Sequence, residues 1–378
     1  MSQHLHIVSL DVPLPVDYGG VMDIFHKIKW LHQIGVKIHL HCFTKERPPQ
    51  DELDDYCEEV FYYQRKHFLQ AIPVKLPFMV ASRNHPALLK NLQQDNYPIL
   101  LEGIQCSWLL STDALKDRQI FLRLHNAEFL YYEKLASHEQ NFFRKLYYKN
   151  ESRLLKKYER LVSERVPILS LSTSDISLYR KFFGAVRIQF LPAFTAWEQV
   201  TAVAGRGKYC LYHGNLGINE NEKAVEWLLQ NVFAHTDIPF VVAGKRPSEQ
   251  LQKLIETYPN CSLVESPTDT DLQELIHKAQ LNVLPSFNNT GVKLKLLNAL
   301  YNGRHCLVNE PAIEGAAIPK LCHVANSPAE FLRKTLSLFE QDFCEASIAE
   351  RTAVLSEFYN NEENAKSLLA LLKPTHPS

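Results

Sequence analysis

The chain is short of several features that would place it outside the cytosol. Its eight cysteines are scattered and form no Cys-x-x-Cys pair. That argues against a disulfide framework and against a zinc site, and favours reduced thiols in a cytosolic protein. No stretch approaches about 18 uninterrupted apolar residues, so no membrane span is expected. The start, Met1-Ser2-Gln3-His4-Leu5-His6, has no basic segment leading into a long apolar run, so no secretory leader is expected. Charge of one sign is also missing. The net charge is −1, with a mild basic excess in the first 200 residues and a mild acidic excess after them, which does not suggest a nucleic-acid partner. There are no internal repeats and no low-complexity tracts.

What remains is an ordinary globular composition, 46% hydrophobic and 22% charged, over 378 residues. That length suits two domains. Short apolar runs alternate with stretches of helical periodicity. Residues 5–10 read as a buried strand, 11–20 as a loop with two prolines and a Gly-Gly, and 21–34 as a helix that Gly35 terminates. Residues 36–43 read as the next strand, the opening of a parallel sheet. Further strands are expected at 59–63, 98–102, 120–124 and 167–171, with helices at 87–94 and 142–163. An aperiodic stretch, 192–207, reads as a linker. The alternation then restarts, with strands at 209–213, 240–243, 262–265, 281–285 and 306–308 and helices at 220–230, 247–257, 272–278 and 292–302. The tail from Ala329 is helical, with a last helix at about 361–372. The expectation is an α/β protein of two tandem Rossmann-like, doubly wound domains facing a cleft. The assigned ranges are 1–195, 206–345 and 346–378, the last a helix returning to the N-terminal domain and a tail.

The loop before the helix at 292 carries the sharpest chemical signal. Asn288-Asn289-Thr290-Gly291-Val292-Lys293-Leu294-Lys295 follows a strand, and two lysines fall at the expected helix start with no acid nearby. A helix N-terminus disfavours cations unless an anion is also there, held by backbone N–H groups. Lys245 and Arg246 follow another strand end and are suited to the same anion, the lysine as a point charge and the arginine as a fork. Gly19-Gly20, between the first strand and its helix, lets a ligand approach the backbone closely. Arg123 and His125 lie two apart and share a strand face. Glu102-Gly103 ends another strand, and Glu128 either serves His125 or an acceptor or is a charge favoured at a helix start.

Several of these pieces resemble the retaining bacterial glycosyltransferase family 4, of the two-Rossmann GT-B architecture. The matching segments are Pro15-Val16-Asp17-Tyr18-Gly19-Gly20, Leu122-Arg123-Leu124-His125-Asn126-Ala127-Glu128, Tyr212-His213-Gly214-Asn215-Leu216 with Asn221 and Ala224, Val241-Val242-Ala243-Gly244, and the loop above. The resemblance implies transfer of a sugar from a nucleotide-diphosphate sugar to a glycan or lipid-linked acceptor, as in cell-surface polysaccharide synthesis. It implies retention of configuration and no catalytic metal or other cofactor. His125 would contact the transferred sugar as the catalytic residue. Gly19, Gly20, Gly214, Asn215, Lys245, Arg246, Thr290, Gly291, Lys293 and Asn298 would bind the donor, and Glu102 and Glu128 the acceptor. The chain departs from the family at one point: Thr290 and Asn298 occupy positions where the family carries glutamates, the second of which holds the donor ribose. An amide there makes a weaker contact than a carboxylate, by about 1 kcal/mol or more. Glu314 is a candidate replacement. Two alternatives therefore stay open: a non-catalytic glycosyltransferase-like binding subunit, and a nucleotide-sugar epimerase of the same fold.

Three further patterns have mundane readings. Asp269-Thr270-Asp271 has a metal–nucleotide spacing but reads as helix capping. His39 and His41 share a strand face without a third ligand. Phe142–Arg165 is a basic helix whose stripe of Phe143, Leu146, Tyr147, Leu154, Tyr158 and Leu161 fits either a packed core face or peripheral contact with the inner face of a membrane.

Overall fold

The first apolar run forms strand β1 (His4–Ser9), which pairs in parallel with β2 (Lys37–Thr44) on one side and β4 (Ile99–Glu102) on the other. β3 (Glu59–Gln64), β5 (Ile120–Leu124), β6 (Ile168–Ser170) and β7 (Ile188–Phe190) complete a seven-stranded parallel sheet in the order β3-β2-β1-β4-β5-β6-β7. The computed structural model describes residues 3–67, 75–288, 290–316 and 318–372. Asn289 of the glycine loop and residues 373–378 of the assigned tail lie outside the described residues.

A second parallel sheet holds β8 (Cys210–Asn215), β9 (Phe240–Lys245), β10 (Cys261–Glu265), β11 (Leu281–Val283), β12 (His305–Val308) and β13 (His323–Val324). Its order, β10-β9-β8-β11-β12-β13, repeats that of the first sheet. Two doubly wound α/β units therefore stand in tandem. One comprises the chain up to Ala196 together with the residues from Tyr359, and the other runs from Trp197 to Phe358.

The helix Gly19–Gln33 shows how local sequence sets this pattern. Val21, Ile24, Ile28 and Leu31 are buried on one face. Gly35 has φ of 86°, its N–H donates to His32 O, and Val36 N–H donates to Leu31 O. That is a Schellman stop, which needs a residue tolerant of the left-handed region. On this helix packs the last one, Asn361–Leu371, which buries Ala365 and Leu368 in the core shared with Ile24 and Ile28. A buried leucine side chain contributes roughly 1.5–3 kcal/mol. Asn361 fastens the junction, accepting from Thr195 N–H at 3.0 Å and donating to Thr195 O at 2.8 Å.

The expected linker 192–207 is anchored within the units on either side. Phe194 and Thr195 are fully buried in the first unit, while Thr201 and Ala202 donate to Tyr301 O and Gly205 pairs with Phe343 in the second. The division falls at Ala196/Trp197 and Phe358/Tyr359, against expected boundaries at 195, 206 and 345. Other departures are local. The helix expected at 292 begins at Leu294, with Lys293 as its N-cap. The helix expected at 272 begins at Asp269, and the capping box is Thr268 with Asp271, whose side chain receives the Thr268 N–H and hydroxyl. Asp271 is thus a capping acid. The stripe assigned to Phe142–Arg165 is in a different register: Leu155, Tyr158 and Val162 are buried, while Phe143 and Leu146 are exposed.

His39 and His41 meet two more imidazoles from β1, near the N-terminal ends of the strands. His4 Nδ1 lies 2.9 Å from His39 Nε2, and His6 Nδ1 lies 2.9 Å from His41 Nε2. Carboxylates Glu59 and Asp95 accept from His39 Nδ1 and His6 Nε2, so the remaining nitrogens must pass protons along the ladder to be satisfied. Tyr63 O–H completes the second chain at His41 Nδ1, 2.8 Å away.

Candidate functional site

In a doubly wound sheet, ligands bind beyond the carboxyl ends of the strands where the winding reverses. The strand orders place that reversal between β1 and β4 in the first unit, and between β8 and β11 in the second. Each unit offers one such edge.

In the first unit, the loop after β1 leads to Gly19 and Gly20. They open a helix with no acidic residue in its first turn and no side-chain cap. A Cβ on Gly20 would come within 3.0 Å of the Tyr18 ring. Beside this loop, β4 ends in Glu102 and β5 is followed by His125. Behind them lies a buried ion network. Lys27 Nζ sits 2.8 Å from both Asp23 Oδ2 and Glu102 Oε1. Arg123 holds Asp23 through Nη2 at 2.8 Å and Nε at 3.1 Å, and also donates to Leu191 O and Pro192 O. Asp23 Oδ1 accepts from Phe194 N–H as well. Burial alone would raise the Asp23 carboxyl, but Arg123 and then Lys27 hold it well below the usual carboxylate range. Glu102 follows the same logic, its burial outweighed by Lys27 and by the hydrogen bond from His125.

His125 Nε2 lies 2.9 Å from Glu102 Oε2. An ionised carboxylate only accepts, so Nε2 carries the proton and, in the neutral imidazole, Nδ1 keeps its lone pair. Glu102 is wholly buried and its two oxygens are taken by Lys27 and His125. Its geometry is that of a group holding His125, not of one facing an acceptor. Glu128, at the start of the helix Glu128–His138, is buried and accepts from Gln105 Nε2 at 3.1 Å. Burial pushes its carboxyl up to about 7, so it is poised to gain or lose a proton near neutrality.

The second unit's edge is built differently. Gly214 and Asn215 end β8, and Gly244 and Lys245 end β9 beside them. A Cβ on Gly244 would fall 2.0 Å from Gly214 O, so the close approach of these strands requires glycine. Arg246, at φ of 58°, packs against Gly217. Across the reversal, Thr290 is tied down by Asn288, whose Oδ1 accepts from the Thr290 N–H and hydroxyl, both at 3.0 Å. Gly291 takes a left-handed φ of 65°. Lys293 Nζ donates to Thr290 O at 2.6 Å.

Lys295 points back under β8. Its ammonium donates to Tyr212 Oη at 2.8 Å and to Asn221 Oδ1 at 2.9 Å, and it lies over the Tyr212 ring. Its stem is partly exposed, yet the ammonium is enclosed. Burial drives it down to about 7, with Lys293 pushing the same way and Glu220 opposing. No carboxylate forms an ion pair with it among the described residues. Next to it, His213 is buried and pushed down to about 3, by burial and then by Lys295, and its Nε2 has no hydrogen-bond partner among the described residues. Asn298 sits within the helix Leu294–Asn302, with its Oδ1 accepting from Asn302 Nδ2 at 2.8 Å. Glu314 is exposed just beyond the helix Glu310–Ile313.

The structure thus gathers Gly19, Gly20, Glu102, His125 and Glu128 around one edge, and Gly214, Asn215, Lys245, Arg246, Thr290, Gly291 and Lys293 around the other. Sequence reasoning missed Asp23, Lys27 and the buried position of Lys295. Asp23 and Lys27 had a signal, since opposite charges four apart interrupt the apolar face of a helix. Asp23, Glu102 and His125 lie close enough to share a metal ion. The Lys27 ammonium already sits between the two carboxylates, so the donor set does not suit one.

Comparison with known proteins agrees with this architecture. Residues 207–341 match the family model described as Glycosyl transferases group 1. An uncharacterized 44.6 kDa protein in the cps region of Klebsiella pneumoniae is 27% identical over 313 residues, covering 78% of this chain and 80% of that one. A solved sucrose-phosphate synthase from Thermosynechococcus elongatus superposes with a TM-score of 0.71 at 14% identity, covering 98% of both chains. The Anabaena protein HepE, solved with UDP and glucose, gives 0.67 at 9% identity over 98% of this chain and 99% of its own. The chain has the GT-B glycosyltransferase fold, and its second unit carries the Glycosyl transferases group 1 match.

Proposed function

We propose that the chain is a retaining glycosyltransferase, of the family 4 kind, that moves a sugar from a nucleotide-diphosphate sugar to a glycan or lipid-linked acceptor in cell-surface polysaccharide synthesis. The observation that carries this reading is Lys295, a buried ammonium with only neutral hydrogen-bond partners at the strand-end edge of the group 1 domain. A diphosphate is the anion such an edge would take, and the HepE neighbour holds UDP. Lys293, Lys245, Arg246 and the amides around Gly291 and Asn215 would share its charge. Stabilising the charge that develops on a leaving nucleoside diphosphate is a largely electrostatic contribution to catalysis. His125 would meet the transferred sugar, with Glu102 acting through His125 by fixing its tautomer. Glu128 would face the acceptor, with Gly19 and Gly20 offering backbone amides to the donor. The cps-region relative supports the polysaccharide setting.

A second reading has its own observation. Asn298 stands where a carboxylate would hold the donor ribose, and its oxygen is bonded to Asn302. That favours a binding subunit without transfer chemistry. Labelled nucleotide sugars, scored for hydrolysis without acceptor and for transfer with it, separate the two: turnover of any donor supports the enzyme, and binding without turnover across the panel supports the subunit. Lys293→Ala should weaken nucleoside diphosphate affinity about tenfold while leaving nucleoside affinity unchanged. Equal losses for both ligands would contradict the placement of the phosphates.

A further inference from the structure

The helix Phe142–Arg165 changes character along its length. Its later turns bury Glu151, Leu155, Tyr158, Glu159 and Val162 in the first unit. Its opening turns present Phe142, Phe143 and Leu146 to solvent, at 71%, 79% and 57% exposure. Two adjacent phenylalanines left this exposed have lost most of the burial that normally stabilises them.

Next to this tip, between the helices Glu128–His138 and Phe142–Arg165, lies a cleft of about 530 Å³. Its wall carries Lys145, Lys149, Arg153 and Lys156, set against a single acid, Glu133. Lys145, Lys149 and Arg153 follow one another at four-residue intervals, so they stack on one helix face and repel in the absence of an anion. None of these three has an ion-pair partner among the described residues. Lys156 is held over the rings of Phe129 and Phe182, 5.7 and 4.8 Å from their centroids, which fixes a charge in the cleft wall. The first turn of the helix contains no acid.

We propose that this end of the helix docks on an anionic membrane surface. Phe142, Phe143 and Leu146 enter the interface, and the adjoining cleft takes the phosphate of an anionic lipid headgroup. The combination of apolar tip and cation row is what commits the site to a lipid. A soluble phosphate has no use for the phenylalanines, and a neutral apolar partner has none for the lysines. Apolar insertion and attraction of basic residues to acidic headgroups act together in peripheral binding. No described helix is long and apolar enough to cross a membrane, so the contact is peripheral. The inference stands on this surface alone and holds whether or not the chain transfers sugar.

The test is co-sedimentation of the full chain with vesicles of phosphatidylcholine, with and without phosphatidylglycerol. Binding is expected on the anionic vesicles, weakening as salt rises. The double variant Phe142→Ser/Phe143→Ser should lose at least roughly tenfold in partitioning. Lys149→Glu/Arg153→Glu should remove the preference for anionic lipid. All four residues are exposed, and unchanged melting curves establish that the variants fold; if the charge variant does not fold, the phenylalanine variant decides alone. Equal binding to neutral vesicles, or binding that the phenylalanine variant leaves intact, overturns the proposal. Full displacement by soluble glycerol phosphate would assign the cleft to free phosphate and also overturn it. Duplex DNA binding that matches vesicle binding and ignores the phenylalanine variant would reduce the surface to a general polyanion patch, with the same consequence.

Discussion

The two units share a strand order and place their key side chains at the same topological position, yet they treat buried charge in opposite ways. In the first unit, Lys27 and Arg123 are matched by Asp23 and Glu102, and each of the four has an oppositely charged partner within about 3 Å. In the second, Lys295 is enclosed with a tyrosine hydroxyl and an asparagine oxygen as partners. A compensated network holds a shape, and here it fixes His125. An uncompensated ammonium is a standing cost that an arriving anion can relieve. On the proposed function, the difference separates the edge that holds a structure from the edge that would take an anion.

Breaking the compensation in the first unit should have the largest effect. Asp23→Ala strands Arg123 without a counter-charge, leaves Lys27 with Glu102 alone, and should cost about 3–5 kcal/mol in denaturant unfolding. A loss below 1 kcal/mol would show that the network is not what holds this edge. The matching change in the second unit should behave in reverse. Lys295→Met removes a buried charge that has no opposite, so stability should stay within about 1 kcal/mol of the native chain or rise. Nucleoside diphosphate affinity should fall roughly 10- to 100-fold. A strongly destabilised Lys295→Met, with affinity intact, would dissolve the contrast between the units.

This contrast was only partly legible in the sequence. The parallel sheets were, because their strands are short apolar runs separated by helices with a clear apolar stripe, and because Gly35 marks a helix end. The short edge strands β7 and β13 and the helices Glu128–His138 and Thr173–Phe183 were not, since two or three strand residues give no periodicity and those helices mix polar residues into their faces. At the site, strand ends announced Glu102, His125 and Lys293. The buried partners behind them come from other elements: Asp23 lies 100 positions from Arg123, and Tyr212 lies 83 from Lys295. Spacing along a chain carries no information about such pairs, and a lysine written as Leu-Lys-Leu looks like a surface residue until the strand beneath it is placed.

A milder comparison sets the ion network against the histidine ladder of the same unit, which is polar and buried but carries no permanent charge. His6 and His41 are both held below their usual range, by burial first, with Asp95 opposing for His6. The unfolded chain therefore takes up protons before the folded one does. The contribution of these two histidines should be flat above about pH 6.5 and should fall below it. Other groups act differently: Glu128, raised to about 7, adds stability as pH falls through 7, and Lys295, lowered to about 7, stops costing stability only as pH rises above 7. The network carboxylates, whose folded values are depressed, lose their contribution only below about pH 4. Subtracting the melting-temperature profile of a His6→Phe/His41→Phe variant from that of the native chain isolates the histidine part, which should decline below about pH 6.5. A difference profile that stays flat down to about pH 5 would contradict the neutral ladder.

The most direct test of the central claim follows from Lys295 itself. With its ammonium at about 7, the residue is mostly neutral at pH 8 in the free protein, and a bound diphosphate would raise it and draw in a proton. Titration calorimetry of UDP at about pH 8, in two buffers of different ionisation enthalpy, reads that proton directly. The account predicts net uptake approaching one proton per UDP, abolished in Lys295→Met. Binding with no proton uptake, or with uptake that survives the substitution, would contradict it.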